Sequence, residues 1–306
     1  VEGASVHFLV TAGGGFLGQT SWESNASGVA AAGVWSLGTA PGSNTLLATV
    51  QGLPPVTFTA TGLPDAPQQV TVLLGDGQTG EEGTELPQRP TLLVADRFGN
   101  LLEGVPVSFQ VTQGGGSVEA PNQVTGPSGV AVSGPWTLGP AAGPQALEIS
   151  IPGLDPLVLQ ATATPGPPAT VIALSEAVQT ASVGAEVPEP PRVRVEDRFG
   201  NPLPGVAVSF EPSGSPDQDS SRGTLTPSEV LTVALGEAGA GQWTLGTVAG
   251  QYSARAQVVG LSSGVEFLAE AIPAAPARMV VRAGDNQTST VGTPVAVPPS
   301  VRVGDR

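Results

Sequence analysis

One imidazole, 26 carboxylates and 11 basic side chains, every one of them Arg, are what this 306-residue chain has for acid–base or metal chemistry. Cys and Lys are both absent. That removes thiolate nucleophiles, disulfides, cysteine zinc sites and lysine–asparagine crosslinks. Nucleophilic catalysis built on His7 would need a partner hydroxyl and an orienting acid. His7 instead alternates with Val6 and Phe8, which places it on the outer face of a strand. Paired carboxylates are the remaining route to hydrolysis, and the acids are scattered through turn-like segments. The chain therefore reads as no enzyme, with no catalytic, cofactor or metal residue to assign.

Calcium is the more serious possibility. Asp76 in Gly-Asp-Gly-Gln, Asp285 in Gly-Asp-Asn-Gln, and Asp96, Asp197 and Asp305 are oxygen donors in turns. The ion needs six to eight oxygens with several carboxylates converging, and the Asp-x-Asp-x-Asp-Gly run is missing. Turn and cap duty is the expected role, with a site at a domain junction as the alternative. Trp22, in Thr-Ser-Trp-Glu-Ser-Asn, has Gln123 at its repeat-equivalent place, so it is a candidate stacking surface for a sugar as well as a packing residue. Asn25-Ala-Ser and Asn286-Gln-Thr match the short glycosylation pattern, which chance explains as well.

These residues sit in a repeat. Asp-Arg-Phe-Gly-Asn runs from Asp96 to Asn100 and again from Asp197 to Asn201, and Asp305-Arg306 begins it once more. Phe8, Phe109 and Phe210 are spaced by 101; Trp35 and Trp136 are spaced by 101, and Trp243 follows after 107. One loop insertion between Phe210 and Trp243 accounts for the difference, so the copies are one domain type. Within each copy apolar residues alternate: Val105, Val107, Phe109; Val206, Val208, Phe210; Val193 and Val195 around Arg194; Val301 and Val303 around Arg302. Period two is the mark of strands with one face in a core. Trp and Leu of Trp-x-Leu-Gly share a face at Trp35, Trp136 and Trp243, which predicts core packing. Phe-Gly-Asn in the repeated motif is a turn signal, and its Asp can accept backbone N–H bonds there. Gly 42 and Pro 31 supply turns throughout, and no 3.6-residue period stands out. The prediction is an all-β chain of tandem β-sandwiches.

Pro-rich joints at 62–67, 164–168 and 273–276 act as semi-rigid spacers. They divide the chain into a partial domain lacking its first strands (1–63), two whole domains (64–165 and 166–272), and a partial domain holding only first strands (273–306). The two fragments sum to one domain, and each would expose a hydrophobic face and unpaired edges alone. The expectation is that 273–306 packs with the equivalent of 1–63, in a continuing chain or a neighbouring copy. Val1 opens without an initiator Met or a signal-peptide pattern, so the segment reads as processed or excerpted. A net charge of −15 argues against nucleic acid. No apolar run is long enough to insert in a membrane.

The ordered set Asp-x-Phe-Gly-Asn-Pro-Leu-x-Gly-Val-x-Val-x-Phe, a Gly-rich turn, then Trp-Thr-Leu-Gly resembles the bacterial immunoglobulin-like repeat domains of invasin- and intimin-type adhesins. It is clearest from Asp197 to Phe210 with Trp243 to Gly250. The resemblance implies immunoglobulin-like sandwiches in a linear array, used as the stalk of an extracellular, cell-surface adhesin or filament. Its ligand would be a host or cell-surface molecule at a tip outside this segment. Two other readings stay open. One is a glycan- or protein-binding module using Trp22 or the loop inserted after Phe210; the other is an accessory region of a larger secreted enzyme.

Overall fold

The computed structural model of the chain describes residues 1–216 and 222–305. Among these there is no helix, as the period-two alternation predicts. The chain forms two compact units, Val1–Thr164 and Pro165–Arg306, divided at the middle Pro-rich joint.

Each unit contains one complete two-layer sandwich. In the first unit, a five-stranded sheet has the order Asn122–Val124, Pro106–Gln113, Gly143–Ser150, Leu157–Thr164, Gln78–Glu81. It faces a three-stranded sheet of Val130–Val132, Thr91–Ala95 and Gln69–Leu74. In the second unit the five-stranded sheet runs Val178–Ser182, Val265–Ile272, Gly250–Val258, Ala207–Gly214, Glu229–Leu231. Its partner is Thr170–Ala173, Arg192–Glu196 and Glu237–Gly239. All pairings are antiparallel except Gln78–Glu81 with Leu157–Thr164 and Val178–Ser182 with Val265–Ile272, which are parallel. These are immunoglobulin-like sandwiches.

Alternation puts the expected residues inside. Val107, Phe109, Trp136 and Leu138 share one core with Leu92, Val94, Leu147 and Leu159. Val208, Phe210, Trp243 and Leu245 share the other with Val193, Val195, Tyr252 and Phe267. The long central strand is bulged at the same repeat position in all three copies: between Val10 and Ala12, Val111 and Gln113, and Pro212 and Gly214. A bulge bends a strand and increases its twist. Here it leads into the Gly-rich turn, where Gly114 has a φ of +91° and a Cβ would meet the Gln145 side chain at 1.8 Å. Only Gly fits there.

Two smaller elements complete the units. The first unit begins with a four-stranded sheet of Ser21–Glu23, Ser5–Ala12, Gly42–Thr49 and Val56–Gly62. Beside it Phe16–Leu17 pairs with Trp35–Ser36 in a separate two-stranded sheet. The second unit ends in a two-stranded hairpin, Arg278–Ala283 with Ser300–Gly304.

Candidate functional site

The repeated Asp and Asn build a clasp at the start of each sandwich. Asp96 follows the strand Thr91–Ala95, and Gly99, at φ +84°, turns the chain back. Asp96 N–H donates to the Asn100 carbonyl at 2.9 Å and Gly99 N–H to the Asp96 carbonyl at 3.1 Å, closing the turn. The Asp96 carboxylate then collects four donors. Oδ1 accepts from Phe98 N–H at 2.8 Å and Asn100 N–H at 2.9 Å. Oδ2 accepts from the Asn100 side-chain amide at 2.8 Å and from Asp65 N–H, in the Pro-rich joint, at 3.1 Å. The same Asn100 amide donates to the Thr39 carbonyl, in the loop after Trp35–Ser36, at 2.8 Å. Joint, turn and preceding loop thus meet on one Asp–Asn pair.

The other copies repeat the pattern. Asp197 accepts from Phe199 N–H at 2.8 Å, Asn201 N–H at 2.9 Å and the Asn201 amide at 2.9 Å, and Gly166 N–H also hydrogen-bonds to it. Asp305 accepts from Ala274 N–H at 3.0 Å. Arg306 lies outside the described residues. Arg97 adds an exposed ion pair to Asp65 at 2.9 Å and stacks over Phe98 at 4.5 Å; Arg198 stacks over Phe199 at 4.6 Å. Exposed contacts of this kind contribute little to stability.

Burial raises the pKa of Asp96, but the hydrogen bonds from the Asn100 side chain and from the backbone of Asn100, Asp65 and Phe98 outweigh it. They hold the carboxyl at about 2, below its ordinary 3.8. Burial likewise pushes the Asp197 pKa up, and the hydrogen bonds from Asn201, Phe199 and Gly166 outweigh it, so that pKa is also lowered. A carboxylate has about four lone-pair positions, and four N–H groups already address those of Asp96. A cation there would have to displace them.

The other sequence candidates lie apart. His7 is exposed on Ser5–Ala12. Asp76 caps a turn by accepting from Gln160 N–H at 2.8 Å, and Asp285 accepts from Asn286 N–H at 2.9 Å. Asn25 accepts from Ser27 and Val29 N–H, both at 3.0 Å, so its side chain serves a turn. Trp22 pairs with Val6 and is half-buried, with Gly33 beside its ring and its Nε1 buried. Those contacts give Trp22 a packing role. Of the loop inserted after Phe210, residues 217–221 lie outside the described residues. Among the described residues no cluster of three or more His, Cys, Asp or Glu has metal-binding spacing, and no helix is long and apolar enough to cross a membrane.

Polar residues inside the sandwiches escaped the sequence reading. Thr125 donates to the Leu102 carbonyl and accepts from Val105 N–H at 2.9 Å; Thr232 does the same for Leu203 and Val206, and Ser24 for Val1 and Ala4. Gln145 accepts from Gly139 N–H at 3.1 Å and donates to Ala141 at 2.8 Å, while Asn44 and Tyr252 brace the equivalent loops. Gln78, Gln179 and Gln287 each grip the residue ten further on through both amide atoms. All recur at the spacing of the repeat, which was the signal available.

Two apolar faces are open. Leu92 and Val94 are 0 % exposed, whereas their repeat equivalents Val301 and Val303 are 53 % and 56 % exposed. Leu159 is 1 % exposed and its equivalent Phe58 is 48 %. Beside Phe58 lies an apolar cleft of roughly 350 Å³ lined by Phe8, Ala30, Ala31, Trp35 and Leu46.

No family model matches the chain, and no curated protein matches it. Among solved structures it is similar to the adhesin FdeC of Escherichia coli, with 18 % identity and a TM-score of 0.38 over 88 % of this chain and 99 % of that one. It is similar to the bacterial integrin-binding protein invasin, with 16 % identity and a TM-score of 0.44 over 93 % of this chain and 56 % of that one. Domains 4–9 of the surface layer protein SbsC match at 13 % identity and a TM-score of 0.31, over 92 % and 41 %. These similarities are too remote to assign the chain to a family.

Proposed function

We propose that the chain is a shaft segment of an extracellular bacterial surface adhesin or filament, acting through geometry rather than catalysis. The clasp is the observation that carries this reading. Asp96 and Asn100 tie the joint at Asp65 and the preceding loop at Thr39 to the first turn of the next sandwich. Such a tie limits bending at a joint, and repetition of rigid beads sets reach. The proposed beads are 64–165 and 166–272, flanked by partial domains 1–63 and 273–306, with the joints near 64, 166 and 273. With neither Cys nor Lys available, load must be borne by strand ladders, Trp-centred cores and clasps. A ligand-binding tip would lie in another domain.

Antibodies raised against this segment should label intact cells that produce the parent protein, and protease added outside should remove the signal. Labelling that requires lysis would refute the surface assignment.

A further inference from the structure

Three uncharged polar side chains stand in a row across the outer face of the first complete sandwich. In the register of its five-stranded sheet, Ser108 lies opposite Asn122 on one side and opposite Ser150 on the other. Alternation turns the row away from the core, because Val107 and Phe109, the neighbours of Ser108, are buried. Strands about 4.8 Å apart make the row roughly 10 Å long. The row lines a depression of roughly 300 Å³, together with the exposed rings of Pro106 and Pro152. No Asp, Glu, Arg or His is among its lining residues. Among the described residues none of the three side chains has a hydrogen-bond partner in the protein. The other copies fill the same row differently. It reads Ser21, His7, Thr49 in the first and Glu229, Ser209, Gln257 in the last. An imidazole stands in one, and a carboxylate and a longer amide in the other. Ser209 also spends its hydroxyl on the Gln257 carbonyl at 3.2 Å. Of the three rows, that of Asn122, Ser108 and Ser150 alone is small, uncharged and unspent.

We propose that this depression binds a neutral carbohydrate. Ser hydroxyls and the Asn amide both donate and accept, as sugar hydroxyls do, so the row can meet several hydroxyls of one ring or of two linked rings. The Pro rings offer an apolar surface to the C–H face of the sugar. Apolar walls with a few polar groups that fix orientation are the usual make-up of a small-molecule site. Charge sets the class. A phosphate or carboxylate ligand calls for a cationic partner and an ammonium for an anionic one, and the depression has neither. Its hydrogen bonds compete with water, so each contributes modestly and the binding is weak. The site lies on the wall of one sandwich and is separate from the shaft role: failure to bind sugar leaves the shaft reading untouched.

Backbone amide shifts in nuclear magnetic resonance read the site directly. Methyl glucosides, galactosides and mannosides, N-acetylglucosamine and cellobiose are added to the chain in turn, at millimolar concentrations. At least one sugar should move Val107, Ser108, Gln123, Ser150 and Ile151 saturably. Val208, Ser209, Val230, Gln257 and Val258, at the equivalent place in the other complete sandwich, should stay where they were. Acetate and methylammonium, as charged controls, should move neither row. Asn122→Ala should weaken binding by roughly two- to tenfold, the share of one uncharged hydrogen bond. Ser150→Gln, which installs the side chain of the last copy, should abolish the shifts while both cores melt as in the parent. No saturable shift with any of these sugars, equal shifts in the two rows, or binding that survives Ser150→Gln overturns the proposal. So does a charged control that moves the row as far as a sugar.

Discussion

Trp136→Ala tests the core on which each sandwich depends. The ring is fully buried, and a buried Trp removes about 200 Å² from water. At about 25 cal/mol per Å² that is roughly 5 kcal/mol, and large-to-small core changes at Trp cost about 3–5 kcal/mol. Nε1 of Trp136 is buried without a hydrogen-bond partner, so no hydrogen bond is lost with the ring. An unsatisfied buried donor itself costs about 1–3 kcal/mol, which makes Trp136→Phe much milder than Trp136→Ala. Amide hydrogen exchange separates the two cores. Protection at Leu92–Val94 and Leu147–Ile149 should fall by about two to four powers of ten, at 1.4 kcal/mol each. Protection at Val193–Val195 and Ala254–Val258 should stay as it was, because those residues pack around Trp243. Unchanged protection in the first core, or equal loss in both, would refute this packing account.

Lowered pKa values at Asp96 and Asp197 give stability that is present above the unfolded value near 3.8 and is lost as pH falls through the folded value, about 2 for Asp96. Acid melts of the parent and of Asp96→Ala should therefore converge between pH 4 and 2; a constant gap across that window contradicts the clasp. Calcium chelation should leave the melting temperature unchanged, since N–H donors occupy the Asp96 carboxylate, and a fall of several degrees would count against it. Thr125→Val strips the partner from the Leu102 carbonyl and Val105 N–H, and urea melts should show a loss of about 1–3 kcal/mol. Gly114→Ala should destabilise the first complete sandwich through its positive φ and the clash with Gln145; an unchanged melt would show that the turn can relax.

Where apolar side chains alternate over a long strand, as at Val105 to Phe109, the sequence is enough to place the core. Asp96 as a turn acceptor was equally legible, because Asp beside Gly-Asn has few other roles. Gln78–Glu81 was not legible: Gln-Thr-Gly-Glu is too short and polar to show a period, and its parallel partner lies some 80 residues away in Leu157–Thr164. The buried hydroxyls of Ser24, Thr125 and Thr232 were missed for a similar reason, since hydroxyls in a core satisfy backbone groups and leave no hydropathy signal. Asn100 was read as part of a turn; its second bond, to Thr39, depends on tertiary placement that local sequence does not encode.

Pulling the chain from its two ends in a single-molecule force experiment tests the shaft claim most directly. A load-bearing array of separate sandwiches predicts two discrete unfolding events for the complete domains. Each should release about 30 nm of chain, from roughly a hundred residues at ~3.3–3.6 Å apiece less the folded length, and Trp136→Ala should lower the force of one event only. Smooth extension without steps, or a single event releasing both domains together, would contradict it.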